Sequence, residues 1–144
     1  MFATYYSTTL NYLWFDADLH QAFAEVAQRL PGAPSHVAIV SIDSSQQKII
    51  LQAQGNGTLP TSYLLDRQAR TLAKLFADYA NVGTIQPVTP VVYAARDGRQ
   101  IPAYLSLPAA ADKGPFATII FPHGGPAQRD TDAFSYWVQF FHSR

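Results

Sequence analysis

Residues 36–76 read HVAIVSIDSSQQKIILQAQGNGTLPTSYLLDRQARTLAKLF, and they carry the clearest periodic pattern in the chain. Four short runs rich in apolar and β-branched residues are separated by turn-forming residues such as Asp, Ser, Gly and Asn. The runs are His36–Ile42, Lys48–Gln54, Thr61–Asp66 and Thr71–Phe76, and they begin 12, 13 and 10 residues apart. This spacing predicts a four-stranded β-meander, the equivalent of one β-propeller blade.

The segments on either side of the meander follow other patterns. Apolar residues recur at helical spacing over Asp18–Leu30, with Asp18 as the expected N-cap and Pro31-Gly32 as the stop, so we expect an amphipathic helix there. Residues 2–15, rich in Tyr and Trp, are expected to supply strands of a preceding blade. Residues Ala77–Thr89 contain Gly and Pro without a clear period and are the expected linker.

After the linker the chain opens with a predicted hairpin. Asp97-Gly98, flanked by Pro90–Arg96 and Arg99–Leu107, is a strong signal for a two-residue hairpin turn. Pro102 lies within the second strand and places that strand at a sheet edge.

A buried strand, a glycine loop and a helix are predicted to follow the hairpin. The run Phe116–Phe121 is continuously apolar, which is typical of a parallel strand buried on both faces. It leads into Pro122-His123-Gly124-Gly125-Pro126. Apolar residues at helical spacing from Phe134 to Phe141 then predict a helix with Thr131 or Asp132 as its N-cap.

These patterns predict a mixed α and β fold with two units. Residues 1–85 are expected to form the C-terminal part of a β-propeller-like domain, and residues 86–144 the N-terminal part of an α/β domain. The second unit holds one strand-to-helix step, whereas a doubly wound sheet is built from several βαβ units of about 30 residues each. We therefore expect the chain to be a fragment that contains the first strands and helix of an incomplete α/β sheet.

Composition excludes several classes of protein and site. Charged residues make up 14% of the chain and the formal net charge is zero, which excludes the basic surface of a nucleic-acid-binding protein. The absence of cysteine excludes disulfides, thiolate metal sites and cysteine nucleophiles. The four histidines show no metal-ligand spacing, so we expect no metal and no cofactor. No run of 18 apolar residues and no signal peptide is present, and we expect a soluble, cytoplasmic protein without a membrane partner.

The loop at 122–126 is the best candidate for chemistry. Paired glycines after a buried strand leave backbone N–H groups open to a substrate, because no Cβ blocks close approach. Such N–H groups can stabilise the oxyanion of a tetrahedral intermediate, and a related His-Gly-Gly-Gly loop does so in α/β-hydrolases. The alternative is a plain Gly-Gly-Pro turn in which His123 is structural.

The second unit resembles the prolyl oligopeptidase family of serine peptidases, in its acylaminoacyl-peptidase and dipeptidyl-aminopeptidase-like branch. The resemblance rests on Arg96-Asp97-Gly98, on Ile101-Pro102-Ala103-Tyr104-Leu105, and on Pro122–Pro126 followed by Arg129-Asp130. It is strong over residues 86–144 and weaker over 1–85. It implies a β-propeller joined to a C-terminal α/β-hydrolase domain, with the glycine loop near the start of the catalytic domain.

The resemblance also implies roles for the loop residues. The backbone N–H of the second glycine in His-Gly-Gly-Pro is an oxyanion donor in this branch and corresponds to Gly125, while His123 and Gly124 shape the loop. The catalytic Ser, Asp and His follow further along such chains, in that order. None of the serines of this sequence lies in Gly-x-Ser-x-Gly, so no nucleophile is assigned; they are Ser7, Ser35, Ser41, Ser44, Ser45, Ser62, Ser106, Ser135 and Ser143.

Two further pairs of polar residues could have functional roles, and each also has a structural interpretation. Arg129-Asp130 either shapes the loop and recognises a substrate terminus or only caps and solvates the next helix. Ser35-His36 lies in a predicted strand, where successive side chains point to opposite faces, so we expect no nucleophile–base pair.

Three functions remain open at the level of sequence. The chain is expected to belong to a serine peptidase that hydrolyses oligopeptides through an acyl-enzyme, in which the propeller screens peptide substrates by size. The alternatives are an α/β-hydrolase esterase and a non-catalytic interaction module. Alone, the chain is expected to be inactive and to self-associate or dock on missing parts of the parent protein through its incomplete sheet.

Overall fold

A computed structural model describes residues 1–6, 10–107 and 115–143. Within these residues the fold is mixed and mostly antiparallel β, with eight strands and two helices. The elements are β1 (Phe2–Tyr6), β2 (Leu10–Trp14), α1 (Ala17–Arg29), β3 (His36–Ile42), β4 (Lys48–Gln54), β5 (Thr61–Asp66), β6 (Thr71–Ala77), β7 (Thr89–Ala94), β8 (Gln100–Leu105) and α2 (Tyr136–His142).

The four-stranded sheet matches the strand pattern predicted for residues 36–76. The strands pair in the order β3-β4-β5-β6, all antiparallel. The first three have the predicted bounds and β6 is one residue longer than predicted. The sheet is a meander, as predicted, and its assignment to a propeller stays a prediction.

The core lies between this sheet and α1. Alternate residues of β4 are buried, with Ile49 and Leu51 only 2% and 1% exposed, as expected for a strand with one covered face. From α1, Leu19 and Val26 enter the same cluster. Their spacing of seven residues, two helical turns, places them on one side of the helix.

The helix begins two residues earlier than predicted, because Asp16 and not Asp18 is the N-cap. Asp16 has an extended backbone and its carboxylate accepts a hydrogen bond from Leu19 N–H at 3.0 Å. This hydrogen bond lowers the pKa of the Asp16 carboxyl below its usual value. Asp18 lies in the first turn, where its charge complements the helix dipole.

The hairpin β1–β2 packs an aromatic cluster against the sheet. Tyr12 stacks on Trp14 with ring centroids 4.9 Å apart, and Phe23 of α1 lies within 5.1 Å of both rings. The Tyr12 hydroxyl donates to Val37 O at 3.1 Å and accepts from Ile39 N–H at 2.8 Å. Since β3 is an edge strand, this single hydroxyl satisfies two backbone groups that the sheet leaves unpaired.

The hairpin β7–β8 forms where predicted, with a longer turn. Gly98 N–H donates to Ala95 O at 2.9 Å and Ala95 N–H donates to Arg99 O at 2.8 Å. Gly98 has φ +82°, whereas Arg96 and Asp97 have no positive φ. The connection is therefore a turn closed by a left-handed glycine, and the two-residue turn was a wrong prediction. Of the predicted linker Ala77–Thr89, residues 78–88 contain no strand or helix, while Ala77 ends β6 and Thr89 begins β7.

The predicted buried strand Phe116–Phe121 is not present in the structure. These residues form no strand, and Ile119 and Ile120 are 61% and 86% exposed. A parallel strand needs a hydrogen-bonding neighbour and apolar cover on both faces. In the described residues β7 and β8 pair only with each other, so this apolar run has no strand to join.

The second helix is also shorter than predicted. It spans Tyr136–His142, and its N-cap is Ser135, whose side chain accepts from Val138 N–H at 3.4 Å. Thr131 and Asp132, the predicted N-caps, lie before the helix. No helix in the described part of the chain is long and apolar enough to span a membrane.

Replacing Tyr12 by Phe tests the edge contact of β3. The variant keeps the ring and leaves Val37 O and Ile39 N–H without their partner, so we expect the free energy of unfolding to fall by about 2 kcal/mol. Urea denaturation measures it, with exposed Tyr5→Phe as the matched control. An unchanged midpoint for Tyr12→Phe would contradict the role assigned to this hydroxyl.

The same contact predicts that the stability of the fold depends on pH. Burial raises the pKa of the Tyr12 phenol above 10.0, while the hydrogen bond from Ile39 N–H acts in the opposite direction. Its protonated form is thus favoured in the folded state, so its contribution to stability is complete below pH 10 and lost as the pH rises through the folded-state pKa. Urea titrations from pH 10 upward should show that the free energy of unfolding falls less with pH in the Tyr12→Phe variant than in the unmodified chain.

Candidate functional site

Gly125 has a backbone conformation that other residues rarely adopt. Its φ is +141°. A Cβ built on Gly125 would lie 2.9 Å from Ala127 N and 3.0 Å from Gln128 N, both backbone atoms. The turn at 124–127 therefore requires glycine at this position.

Gly124 is under less constraint. Its φ is not positive, and a Cβ there would meet only Gln128 Oε1, at 3.4 Å. The end of a flexible side chain can move, so this position tolerates a small side chain more readily than Gly125 does. The two glycines of the loop thus have different structural roles.

His123 fixes the peptide group between the two glycines. Its Nδ1 lies 2.8 Å from Gly124 O, so Nδ1–H donates to that carbonyl. The C=O and N–H of a trans peptide group point in opposite directions. Anchoring Gly124 O therefore also sets the direction of the N–H of Gly125, an exposed residue, and this N–H makes no hydrogen bond within residues 1–6, 10–107 and 115–143.

A groove of about 590 Å³ lies beside the segment that follows this loop. One wall comes from the segment that follows the loop, including Gln128, Arg129 and Thr131. The other comes from the β3–β4 side of the sheet, including His36 and Gln54, and from the β1–β2 hairpin. The groove is open and lined by both polar and apolar side chains, and Gln54 Oε1 is buried there without a hydrogen-bond partner among the described residues.

Asp132 joins the loop segment to the sheet. His36 Nε2 donates to Asp132 Oδ1, and Ser35 Oγ lies 3.4 Å from Asp132 Oδ2. Ser35 precedes the first residue of β3, so the alternation expected within a strand does not separate it from His36. Both residues contact the same carboxylate, so the opposite-face arrangement predicted for them is not what the structure has.

No local sequence signal indicated this contact. Asp132 and His36 are 96 positions apart, and the helical pattern alone suggested a capping role for Asp132. Of the neighbouring pair, Arg129 lines the groove and Asp130 is exposed, which leaves both interpretations of Arg129-Asp130 as predictions.

A serine–histidine pair occurs elsewhere in the structure. Ser106 Oγ lies 3.1 Å from His142 Nδ1, which links the end of β8 to α2. Nucleophilic pairs of this kind also need a third group that orients the base. Within the described residues no third group is hydrogen-bonded to His142, and no group of three His, Asp or Glu side chains is arranged to hold a metal ion.

Comparison with known proteins identifies a similarity to a peptidase. The chain is 33% identical over 91 residues to dipeptidyl aminopeptidase BIII of Pseudoxanthomonas mexicana. The match covers 57% of this chain, and the chain spans only 13% of the length of that curated relative. No family model and no solved structure matches the chain.

Alanine substitutions in the loop test its backbone geometry. Gly125→Ala places a Cβ against two backbone nitrogens, so we expect amide chemical shifts of residues 123–128 to move. Gly124→Ala is expected to change little beyond its own neighbours. Two-dimensional ¹H–¹⁵N spectra measure both variants, and equal, small shifts would contradict the conformation described for Gly125.

Proposed function

We propose that this chain is part of a serine peptidase that hydrolyses peptide bonds of oligopeptides through an acyl-enzyme. In this proposal Gly125 N–H is an oxyanion donor and the nucleophile lies in residues outside the sequence. The observation that carries the proposal is the glycine-only turn at the exposed residue Gly125, with the direction of its N–H set by the contact between His123 and Gly124 O. The similarity to a dipeptidyl aminopeptidase supports a peptidase-like origin.

The proposed chemistry follows from the backbone of the loop. When a serine attacks a peptide carbonyl, negative charge develops on the carbonyl oxygen, and a donor already in place stabilises that charge without reorganising. His123 would hold the peptide group of Gly124 while Gly125 N–H donates to the oxyanion. Loss of one such donor costs about 10²–10³ in kcat.

We further propose that residues 1–85 are the end of a β-propeller and residues 86–144 the beginning of an α/β-hydrolase domain. The meander of β3–β6 has the strand number of one blade, and residues 78–88 form the connection to the next hairpin. The exposed apolar run 116–121 supports the second assignment, because it has the composition of a central strand and no partner in the described residues.

The same exposed residues support a proposal about partners. Ile119, Ile120 and Trp137 are each more than half exposed. Exposed apolar surface of this kind favours docking on the rest of a catalytic domain or self-association of the isolated chain. An esterase would use the same glycine loop, but the name of the similar protein favours peptide substrates over esters.

The proposed activity is tested on the protein encoded by the complete reading frame that contains this sequence. We expect it to release p-nitroaniline from aminoacyl- or dipeptidyl-p-nitroanilides and to be inactivated by a fluorophosphonate. Gly125→Ala should lower kcat by about 10²–10³, since the donor is displaced. Gly83→Ala is the matched control, because Gly83 is exposed, has no positive φ and has no atom within 4 Å of an added Cβ. Hydrolysis of esters without hydrolysis of peptides would contradict the proposal.

The isolated 144-residue chain is expected to hydrolyse none of these substrates, because none of its serines lies in a nucleophile elbow. The same assay applied to the purified chain checks this expectation. Turnover that a fluorophosphonate abolishes would show that the nucleophile is within the sequence, with Ser106 the first residue to replace.

A further inference from the structure

Asp132 is held on both carboxylate oxygens by the edge of the four-stranded sheet. One oxygen accepts from His36 Nε2 and the other is 3.4 Å from Ser35 Oγ. The His36 side chain is only 6% exposed and that of Asp132 is 22% exposed, so the contact is largely shielded from solvent. A carboxylate has no proton to donate, which means that His36 Nε2 carries the hydrogen in this contact.

The sheet side of the contact is fixed in place. His36 is the first residue of β3 and pairs with Gln54 of β4. The next residue, Val37, is tied through its carbonyl to the Tyr12 hydroxyl. The imidazole therefore projects from a backbone that is held by strand pairing on one side and by a side-chain hydrogen bond on the other.

The loop side of the contact leads directly to the glycine turn. Asp132 follows Gly125 by seven residues, and of the residues between them Ala127, Gln128, Arg129 and Thr131 line the groove. Beyond Asp132 the chain is anchored again at α2, where Gln139 and Gln86 exchange two hydrogen bonds of 2.9 Å. The segment that carries Gly125 is thus attached to the sheet through the shielded carboxylate of Asp132.

We infer that His36 and Ser35 are positioning residues, which hold Asp132 and thereby fix the loop 123–131 beside the groove. This inference rests on the proposed function, because it assigns the blade a part in placing Gly125 N–H. The meander then contributes directly to the geometry of the oxyanion site, through a contact between two units that are distant in sequence. Asp132 itself touches no reacting atom in this arrangement.

Backbone relaxation of the 144-residue chain tests the holding contact. In the unmodified chain, ¹⁵N order parameters of residues 123–131 should be near those of rigid backbone, about 0.85, and in Asp132→Ala they should fall below about 0.6. Asp132→Asn should restore them, because the amide oxygen accepts from His36 Nε2–H and the amide nitrogen can donate to Ser35 Oγ. Asp130→Ala, which removes an exposed carboxylate from the same segment, should leave loop order unchanged.

A change in loop order can be distinguished from unfolding of the sheet. Unchanged amide shifts at Ile49 and Leu51, in the core strand β4, would show that the sheet is intact in each variant. Loop order in Asp132→Ala equal to that of the unmodified chain would overturn the inference.

Kinetics of the longer peptidase provide a second readout. Asp132→Ala should lower kcat by about tenfold to a hundredfold with little change in KM, as expected when a transition-state donor is misplaced, and Asp132→Asn should recover most of the loss. A rise in KM alone would overturn the positioning role. If the longer protein cleaves no peptide, the proposed function fails, and the relaxation measurement still decides whether Asp132 holds the loop.

Discussion

The edge strand β3 is the constraint on which the rest of the structure depends. An edge strand leaves one row of backbone groups unpaired, and these groups need partners from elsewhere in the chain. Here Tyr12 supplies one hydroxyl for Val37 O and Ile39 N–H, which attaches the N-terminal hairpin to the sheet. At the start of the same strand, His36 binds Asp132 and attaches the segment that follows the glycine loop. Both ends of the chain are therefore organised by one strand.

The parts of the fold that follow from local patterns could be predicted from the sequence. Alternating apolar residues and turn residues located the strands of the meander, since burial of one face imposes a period of two. The hairpin at Asp97-Gly98 was found from its turn residues, although the turn is longer than predicted and has Gly98 in a left-handed conformation.

Predictions that depended on which groups lie close together in the folded chain were less successful. The N-cap of α1 is Asp16 and not the predicted Asp18, because the chain presents the Asp16 carboxylate to Leu19 N–H. The apolar run 116–121 has the composition of a buried strand, but strand formation also needs a partner, and composition does not report whether one is present. The His36–Asp132 contact spans 96 positions and has no periodic or motif signature, so it can be identified only from the structure.

The central claim is that Gly125 N–H receives the oxyanion of a peptide substrate. The most direct measurement is a crystal structure of the complete protein after reaction with a peptidyl fluorophosphonate, whose phosphoryl oxygen mimics the oxyanion. The account predicts that Gly125 N lies about 2.7–3.1 Å from that oxygen, with Gly124 O still bound by His123. An adduct whose oxygen is bound by other donors, with Gly125 N–H turned away from it, would contradict the account.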